Sequence, residues 1–356
     1  MGEIVSSSRS PVEEAGKTYE LIPTGSTLLN LCLADNAKRG FAKGSMVNLI
    51  GDSSSGKTIV ALNLLACIAH HPGMTEYALI YDDAEHRNQF DLSRLFGQKM
   101  ADRVEAPETV DGQGKHSELI EDFQRNIYSR LKAGKPFIYI LDSMDSLDAR
   151  ADVEKFEKTM EKEKGEKTAG SYGMAKAKGN SELLRRICGK LGKSNSLLII
   201  ISQTRDSIDP MSFQEKTRSG GKALKFYATH EIWMALGESL FKTVNGRKLK
   251  TGIVSKLRVK KNSLTGKERE IMLAILYNYG VDDTLSMIRY MIFWGIWKDS
   301  NGRIDCPEFG GPMTEAKLIR TIEDGDRGPE LRDLVAKTWH DVEEQLMQSG
   351  RKRRYE

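Results

Sequence analysis

The chain has 356 residues, 39% of them hydrophobic and 29% charged, with a net charge of +4. This is the composition of an ordinary globular protein, long enough for roughly two domains, and no stretch is long and apolar enough to span a membrane. The charge is too small for bulk attraction to nucleic acid, so any such binding has to come from local patches.

Residues 1–18 are rich in Ser, Glu, Gly and Pro and read as a flexible arm. Their opening matches the myristoylation pattern M-G-x-x-x-S, which is too permissive to carry weight, and no secretory signal is visible. Residues 19–33 carry Leu21, Ile22, Leu28, Leu29, Leu31 and Leu33 and read as a lead-in that packs on the core. The next segment organises the chain. An apolar strand (Val47, Leu49, Ile50) runs into Gly51, Asp52, Ser53, Ser54, Ser55, Gly56, Lys57 and Thr58, and a helical pattern follows through Val60, Leu64, Cys67 and Ile68. Strand, G-x-x-x-x-G-K-T loop and helix start are the context of a P-loop, whose glycines let successive N–H groups wrap phosphate oxygens. Lys57 is placed for the β- and γ-phosphates and Thr58 for Mg²⁺, so the chain is expected to bind a nucleoside triphosphate.

Three more apolar runs read as buried strands. Residues 78–81 end in Asp82, Asp83, Ala84, Glu85 and His86, acids at the strand end where open α/β sheets bind ligands. There Glu85 is a candidate general base, with a solvated acid or a helix cap as the alternative. Residues 137–141 close on Asp142, the Walker B pattern, in which the carboxylate faces Mg²⁺ opposite Thr58. Residues 197–201 end in Ser202 and Gln203 and lead into a polar stretch, residues 204–222, with Arg205, Lys216, Arg218 and the Gly220-Gly221 pair. Before that strand, residues 153–167 interleave Glu and Lys as an exposed helix, and residues 170–179, with Lys176 and Lys178, read as a mobile loop suited to a phosphate backbone. A helix is expected over 181–191, and strands near 232–236, 254–261 and 271–277. The four cysteines (Cys32, Cys67, Cys188, Cys306) lack a C-x-x-C pair, which implies neither zinc nor disulfides and fits a reducing cytoplasm.

Asp83-Ala84-Glu85-His86, Ile201-Ser202-Gln203-Thr204-Arg205, the stretch GGKALKFYA from Gly220 to Ala228, Pro23-Thr24-Gly25-Ser26 and Arg258-Val259-Lys260-Lys261-Asn262 resemble the bacterial and phage RecA recombinase family, in the same order. The resemblance covers about residues 21–346. It implies an α/β fold: a RecA-like P-loop ATPase core with a mixed, largely parallel sheet flanked by helices (residues 19–279), a small α+β C-terminal domain (280–348) and a basic tail (349–356). It further implies a DNA-dependent ATPase that forms helical filaments on single-stranded DNA and pairs it with homologous duplex, with single-strand-binding and loading proteins as candidate partners. Glu85 falls on the family's catalytic glutamate, Gln203 on its γ-phosphate sensor, and Lys261 on a lysine that reaches a neighbouring subunit's ATP. Residues 170–178 and 207–219 fall on its two DNA loops, with Lys178, Arg185, Arg205 and Met211 the positions most readily assigned to DNA.

Three positions depart from the family pattern. Ser263 stands where a second interfacial lysine is expected, leaving Lys260 or Lys267 as stand-ins. Leu92 replaces the adenine-stacking aromatic, with Phe90 nearby. The N-terminal interface helix has no clear counterpart in residues 1–18. Those departures keep two alternatives in view: a non-catalytic ATP-binding mediator, and a hexameric helicase on the same core.

Overall fold

The computed structural model describes residues 20–87, 90–160, 174–206, 216–218 and 221–346. The expected arm, Met211, Gly220 and the basic tail lie outside the described residues.

A ten-stranded mixed sheet forms the centre. Its strands in chain order are β1 (Met46–Gly51), β2 (Ala78–Asp83), β3 (Val104–Glu105), β4 (Phe137–Asp142), β5 (Leu197–Asp206), β6 (Lys216–Arg218), β7 (His230–Val244), β8 (Arg247–Asn262), β9 (Arg269–Leu276) and β10 (Gly280–Asp282). The spatial order is β10-β9-β8-β7-β1-β5-β4-β2-β3, with β6 paired to β5. From β7 across to β3 every pairing is parallel, and the pairings among β7, β8, β9 and β10 are antiparallel.

Alternation along the strands sorts the core into two layers, because successive side chains point to opposite faces. Val47, Leu49, Leu79, Tyr81, Ile138, Ile140, Ile199 and Ile201 belong to one apolar cluster. Met46, Ile80, Phe137, Tyr139, Leu141, Leu198 and Ile200 belong to the other. The first face is covered by helix α1 (Thr27–Ala34) and the P-loop helix α2 (Lys57–His70), through Leu28, Leu31, Leu62, Leu65 and Ile68. The second is covered by α3 (Ile120–Ala133) and α4 (Met174–Lys193), through Phe123, Ile127, Leu184 and Ile187. Each of these fully buried apolar side chains contributes roughly 1.5–3 kcal/mol by leaving water.

The lead-in segment packs as expected: α1 is capped by Ser26, and Asp283 accepts from both Thr27 N (2.8 Å) and Thr27 Oγ1 (2.7 Å). That bond ties α1 to helix α5 (Asp283–Phe293). A hairpin turning at Asn301-Gly302 forms from Lys298–Ser300 and Arg303–Asp305, and two helices follow at Glu315–Glu323 and Gly328–Gln345. Ile288, Met291, Leu318, Val335 and Trp339 from these elements join the same apolar cluster as the P-loop helix.

Three expectations need correction. The helix expected over 181–191 starts at Met174, so Lys176 and Lys178 lie on a helix and not in a loop. The polar stretch after Gln203 is partly sheet: Lys216, Thr217 and Arg218 pair with Asp206, Arg205 and Thr204. The strands near 232–236 and 254–261 are the base of a much longer hairpin closed at Asn245-Gly246, the same turn signal that marks residues 301–302.

Candidate nucleotide-binding site

The parallel strands end on one edge, and register lines up their last residues. Gly51 pairs with Gln203, and Asp83 with Asp142. The chain therefore delivers the P-loop, the Walker B carboxylate and Gln203 to one row, the position where ligands bind in open α/β sheets.

The loop's glycines are required by its neighbours. A Cβ on Gly51 would lie 2.3 Å from the Met234 carbonyl oxygen of β7. Gly56, the residue that caps α2, has φ 92°, in the left-handed region, and a Cβ there would lie 2.5 Å from Ile275 Cδ1. Within the loop, Ser55 Oγ donates to the Asp52 carbonyl (2.8 Å), and Ser255 Oγ donates to the Ser55 carbonyl (2.6 Å). Lys57 is buried, its Nζ donating to the carbonyls of Gly51 (2.9 Å) and Asp52 (2.7 Å). Burial pulls its ammonium below the ordinary lysine value, against the attraction of Asp142, Glu85 and Asp52. A cation held in a curl of backbone, with its own hydration stripped, suits a phosphate ligand.

Thr58 Oγ1 donates to Asp142 Oδ2 at 2.7 Å, and the Tyr81 hydroxyl donates to the same oxygen at 3.0 Å. Burial pushes the Asp142 carboxyl above its ordinary value, opposed by these two hydrogen bonds and reinforced by Glu85 and Asp83. The residues fit Mg²⁺ with a triphosphate: the donors are oxygens, as a hard cation prefers, and the buried carboxylate gains from a neutralising charge.

Beyond Asp142, Glu85 joins the row. Its backbone N–H donates to the Asp142 carbonyl (3.1 Å), and its Oε1 accepts from Ser143 Oγ (2.6 Å) and Gln203 Nε2 (2.9 Å). Gln203 N donates to Asp145 Oδ2 at 2.7 Å, and Thr204 Oγ1 donates to Asp52. Gln203 and Thr204 thus connect β5 to both the acid cluster and the P-loop. Sequence reasoning missed Tyr81, Ser143, Asp145 and Thr204. The first has the same strand parity as Asp83, Ser143 and Thr204 directly follow Asp142 and Gln203, and Asp145 lies three residues past Asp142.

The remaining predicted site residues are spread more widely. Arg185 is exposed on α4, on the side away from buried Leu184 and Ile187. Arg205 lies in β5, Lys216 and Arg218 in β6, and Gly221 starts the helix Gly221–Tyr227. Lys261 Nζ donates to the carbonyls of Lys225 (2.7 Å) and Phe226 (3.0 Å) in the turn that ends that helix. The two lysines considered in place of Ser263 have roles within the chain. Lys260 sits 3.7 Å over the Trp233 ring, and Lys267 pairs with Asp35 (2.7 Å) and Glu343 (2.9 Å). Phe90 is 46% exposed, whereas Leu92 packs partly against the main core. Among the described residues no helix is long and apolar enough to cross a membrane.

A family model for the RecA N-terminal domain matches residues 10–282. Protein RecA of Thermus thermophilus is 28% identical over 336 residues, covering 93% of this chain and 88% of that protein. Protein RecA of Acidothermus cellulolyticus is 28% identical over 289 residues, 81% of this chain and 74% of its own length. Protein RecA of Lactococcus lactis subsp. cremoris is 24% identical over 288 residues, 81% and 67% of the two chains. With the P-loop, the Walker B carboxylate and the Glu85–Gln203 pair in one row, this chain belongs to the RecA family of recombinases.

Proposed function

We propose that the protein is a single-stranded-DNA-binding recombinase that hydrolyses ATP when DNA is bound, assembles into helical filaments and exchanges strands with homologous duplex. The observation that carries this reading is the 2.9 Å hydrogen bond from Gln203 Nε2 to Glu85 Oε1. It joins the acid next to the phosphate cradle to β5, which ends at Asp206.

In this reading Gly51, Asp52, Ser53, Ser54, Ser55 and Gly56 cradle the phosphates, and Lys57 neutralises the β- and γ-oxygens. Thr58 and Asp142 would hold Mg²⁺, which supplies charge neutralisation between the phosphates when bound. Glu85 orients a water and accepts its proton. Gln203 donates to the γ-phosphate and, in exchanging that bond for the one to Glu85, reports nucleotide state along β5 to the DNA contacts. Those contacts are Arg205, Met211, Lys216, Arg218, Gly220 and Gly221, with Lys176, Lys178 and Arg185 supplied by α4. Lys261 acts across a subunit interface on the neighbour's ATP, stabilising charge on the transferring group. Residues 19–279 form the ATPase core in this scheme and 280–348 the small C-terminal unit, whose apolar side chains merge with the core.

The test is ATP turnover with and without single-stranded DNA, followed by electron microscopy with a slowly hydrolysed ATP analogue. DNA-stimulated turnover and helical filaments are expected. A rate indifferent to DNA would overturn the recombinase reading in favour of a non-catalytic mediator, and closed six-membered rings would favour a helicase.

A further inference from the structure

Residues 241–250 form the outer part of the β7–β8 hairpin, and all ten are exposed. They contain Lys242, Arg247, Lys248 and Lys250 and no acid. The ion pairs of this hairpin, Lys256–Glu270 (2.8 Å), Arg258–Glu268 (3.4 Å) and Glu238–Arg289, all involve residues nearer its base. Among the described residues none of the four distal cations pairs with a carboxylate.

The arm is anchored at that base. Leu240 and Val254 pack with Ala274 and Leu285 in a small apolar cluster of their own. Asn245 and Gly246 both take positive φ (49° and 75°), as a two-residue hairpin turn needs to match strand twist. Because β7 runs parallel to β1, with Met234 opposite Gly51, the arm leaves the sheet at the same edge as the P-loop, Asp142 and Gln203.

Register assigns its faces. Phe241 pairs with Lys250 and Thr243 with Lys248, while Lys242 pairs with Leu249 and Val244 with Arg247. Directly opposed residues share a face, so each side of the ribbon carries two cations. A ribbon charged on both sides suits a groove with phosphates on both walls, and the major groove of a duplex, about 12 Å wide, admits a two-stranded ribbon. Single-strand binders rely on open aromatic platforms. Here Lys248 Nζ sits 4.6 Å from the centroid of the Phe241 ring, over one face of it.

We propose that residues 241–250 are a duplex-DNA-binding arm whose four cations contact the phosphate backbone. This second nucleic-acid surface goes beyond the single-strand site above and rests on that reading only in expecting DNA at this edge of the sheet. The test compares the full chain with a quadruple variant, Lys242→Ala, Arg247→Ala, Lys248→Ala and Lys250→Ala, in duplex binding by fluorescence anisotropy across a salt series. Four lost phosphate contacts should weaken duplex binding by at least about tenfold at low salt. They should also make the slope of log affinity against log salt shallower by about 3 to 4. Single-strand-stimulated ATP turnover and the thermal midpoint should stay unchanged. A second variant, Phe241→Ser with Leu249→Ser, keeps the cations and should keep duplex affinity.

An unchanged salt slope in the quadruple variant overturns the inference. So does loss of self-assembly in the second variant alone, which would make the arm a protein contact. Should the wild-type chain bind no duplex yet show single-strand-stimulated turnover, the arm proposal falls while the recombinase reading stands. Absence of that stimulation with a normal duplex slope change would do the reverse.

Discussion

Asp82 and Asp142 end apolar runs on neighbouring parallel strands, one register position apart, yet they belong to different worlds. Asp82 points to the face covered by α3. It is fully buried and accepts from Ser117 N (2.8 Å), Ser117 Oγ (2.6 Å) and Tyr139 OH (2.5 Å), with Asn126 Nδ2 donating to Ser117 Oγ behind them. Asp142 points to the P-loop face, where Thr58 and Tyr81 both donate to one of its oxygens. Burying a carboxylate is costly unless donors compensate it. The closed set around Asp82 makes it a brace between β2, β4 and the loop before α3. Asp142, with one oxygen accepting from two hydroxyls and the charges of Glu85 and Asp83 acting on it, is the carboxylate that takes Mg²⁺ in the proposed reading. Residue type and strand position are nearly the same, and donor count separates structure from function.

The largest expected effect lies beside Asp142. Glu85→Gln should lower ATP turnover roughly 10²–10⁴-fold, the usual contribution of a general base, while ATP binding persists. A turnover assay with nucleotide binding measured in parallel checks it, and retained turnover would place the base elsewhere. Asp82→Ala should do the opposite, leaving the Tyr139 hydroxyl and two Ser117 donors buried without their acceptor. We expect a loss of about 3 kcal/mol in denaturant unfolding with turnover per folded molecule kept. If that variant instead unfolds normally and loses turnover, the contrast between the two carboxylates breaks.

Gln203→Ala removes one donor to Glu85 and should cost about tenfold in DNA-stimulated turnover, close to the value of one hydrogen bond to a charged group. Equal basal and stimulated losses would show that Gln203 only positions Glu85 and carries no signal.

A third carboxylate sharpens the comparison further, since Glu343 is satisfied by cations. Arg269 Nη2 (2.8 Å) and Lys267 Nζ (2.9 Å) bind it. The Arg269 hydrogen bond, first among its causes, holds its carboxyl down at about 2. A depressed folded value means the stabilisation is complete above the ordinary value of 4.5 and is lost as pH falls through about 2. Acid unfolding should therefore be shallower in Glu343→Gln between those values, a small effect readable by circular dichroism. An identical acid limb would show that the pair contributes nothing measurable, as many exposed pairs do.

Much of this site was legible in the chain because its signals are local. The P-loop spacing, an apolar run closing on Asp142, and Glu85 and Gln203 just past strand ends each follow from a few consecutive residues. Alternation even contains the distinction between Asp82 and Asp142, since their parities relative to the buried runs differ. What alternation lacks is the identity of the partners: Ser117 lies 35 positions from Asp82, and Thr58 lies 84 from Asp142. The long hairpin was missed for another reason. Residues 237–252 carry a weak apolar pattern because they pack on nothing beyond their base, and the Asn245-Gly246 signal identifies a turn without saying how far its strands extend.

Sequence alone, then, determined the nucleotide loop, the order of buried strands and the acids at their ends, because glycine spacing and apolar runs act over short distances. Tertiary structure decided that Ser117 and Tyr139 brace Asp82 while Thr58 and Tyr81 meet Asp142, that Lys267 is committed to Asp35 and Glu343, and that a cationic ribbon leaves the sheet at the edge where the P-loop lies. Those outcomes depend on strand register and on donors brought from far along the chain, which no local pattern encodes.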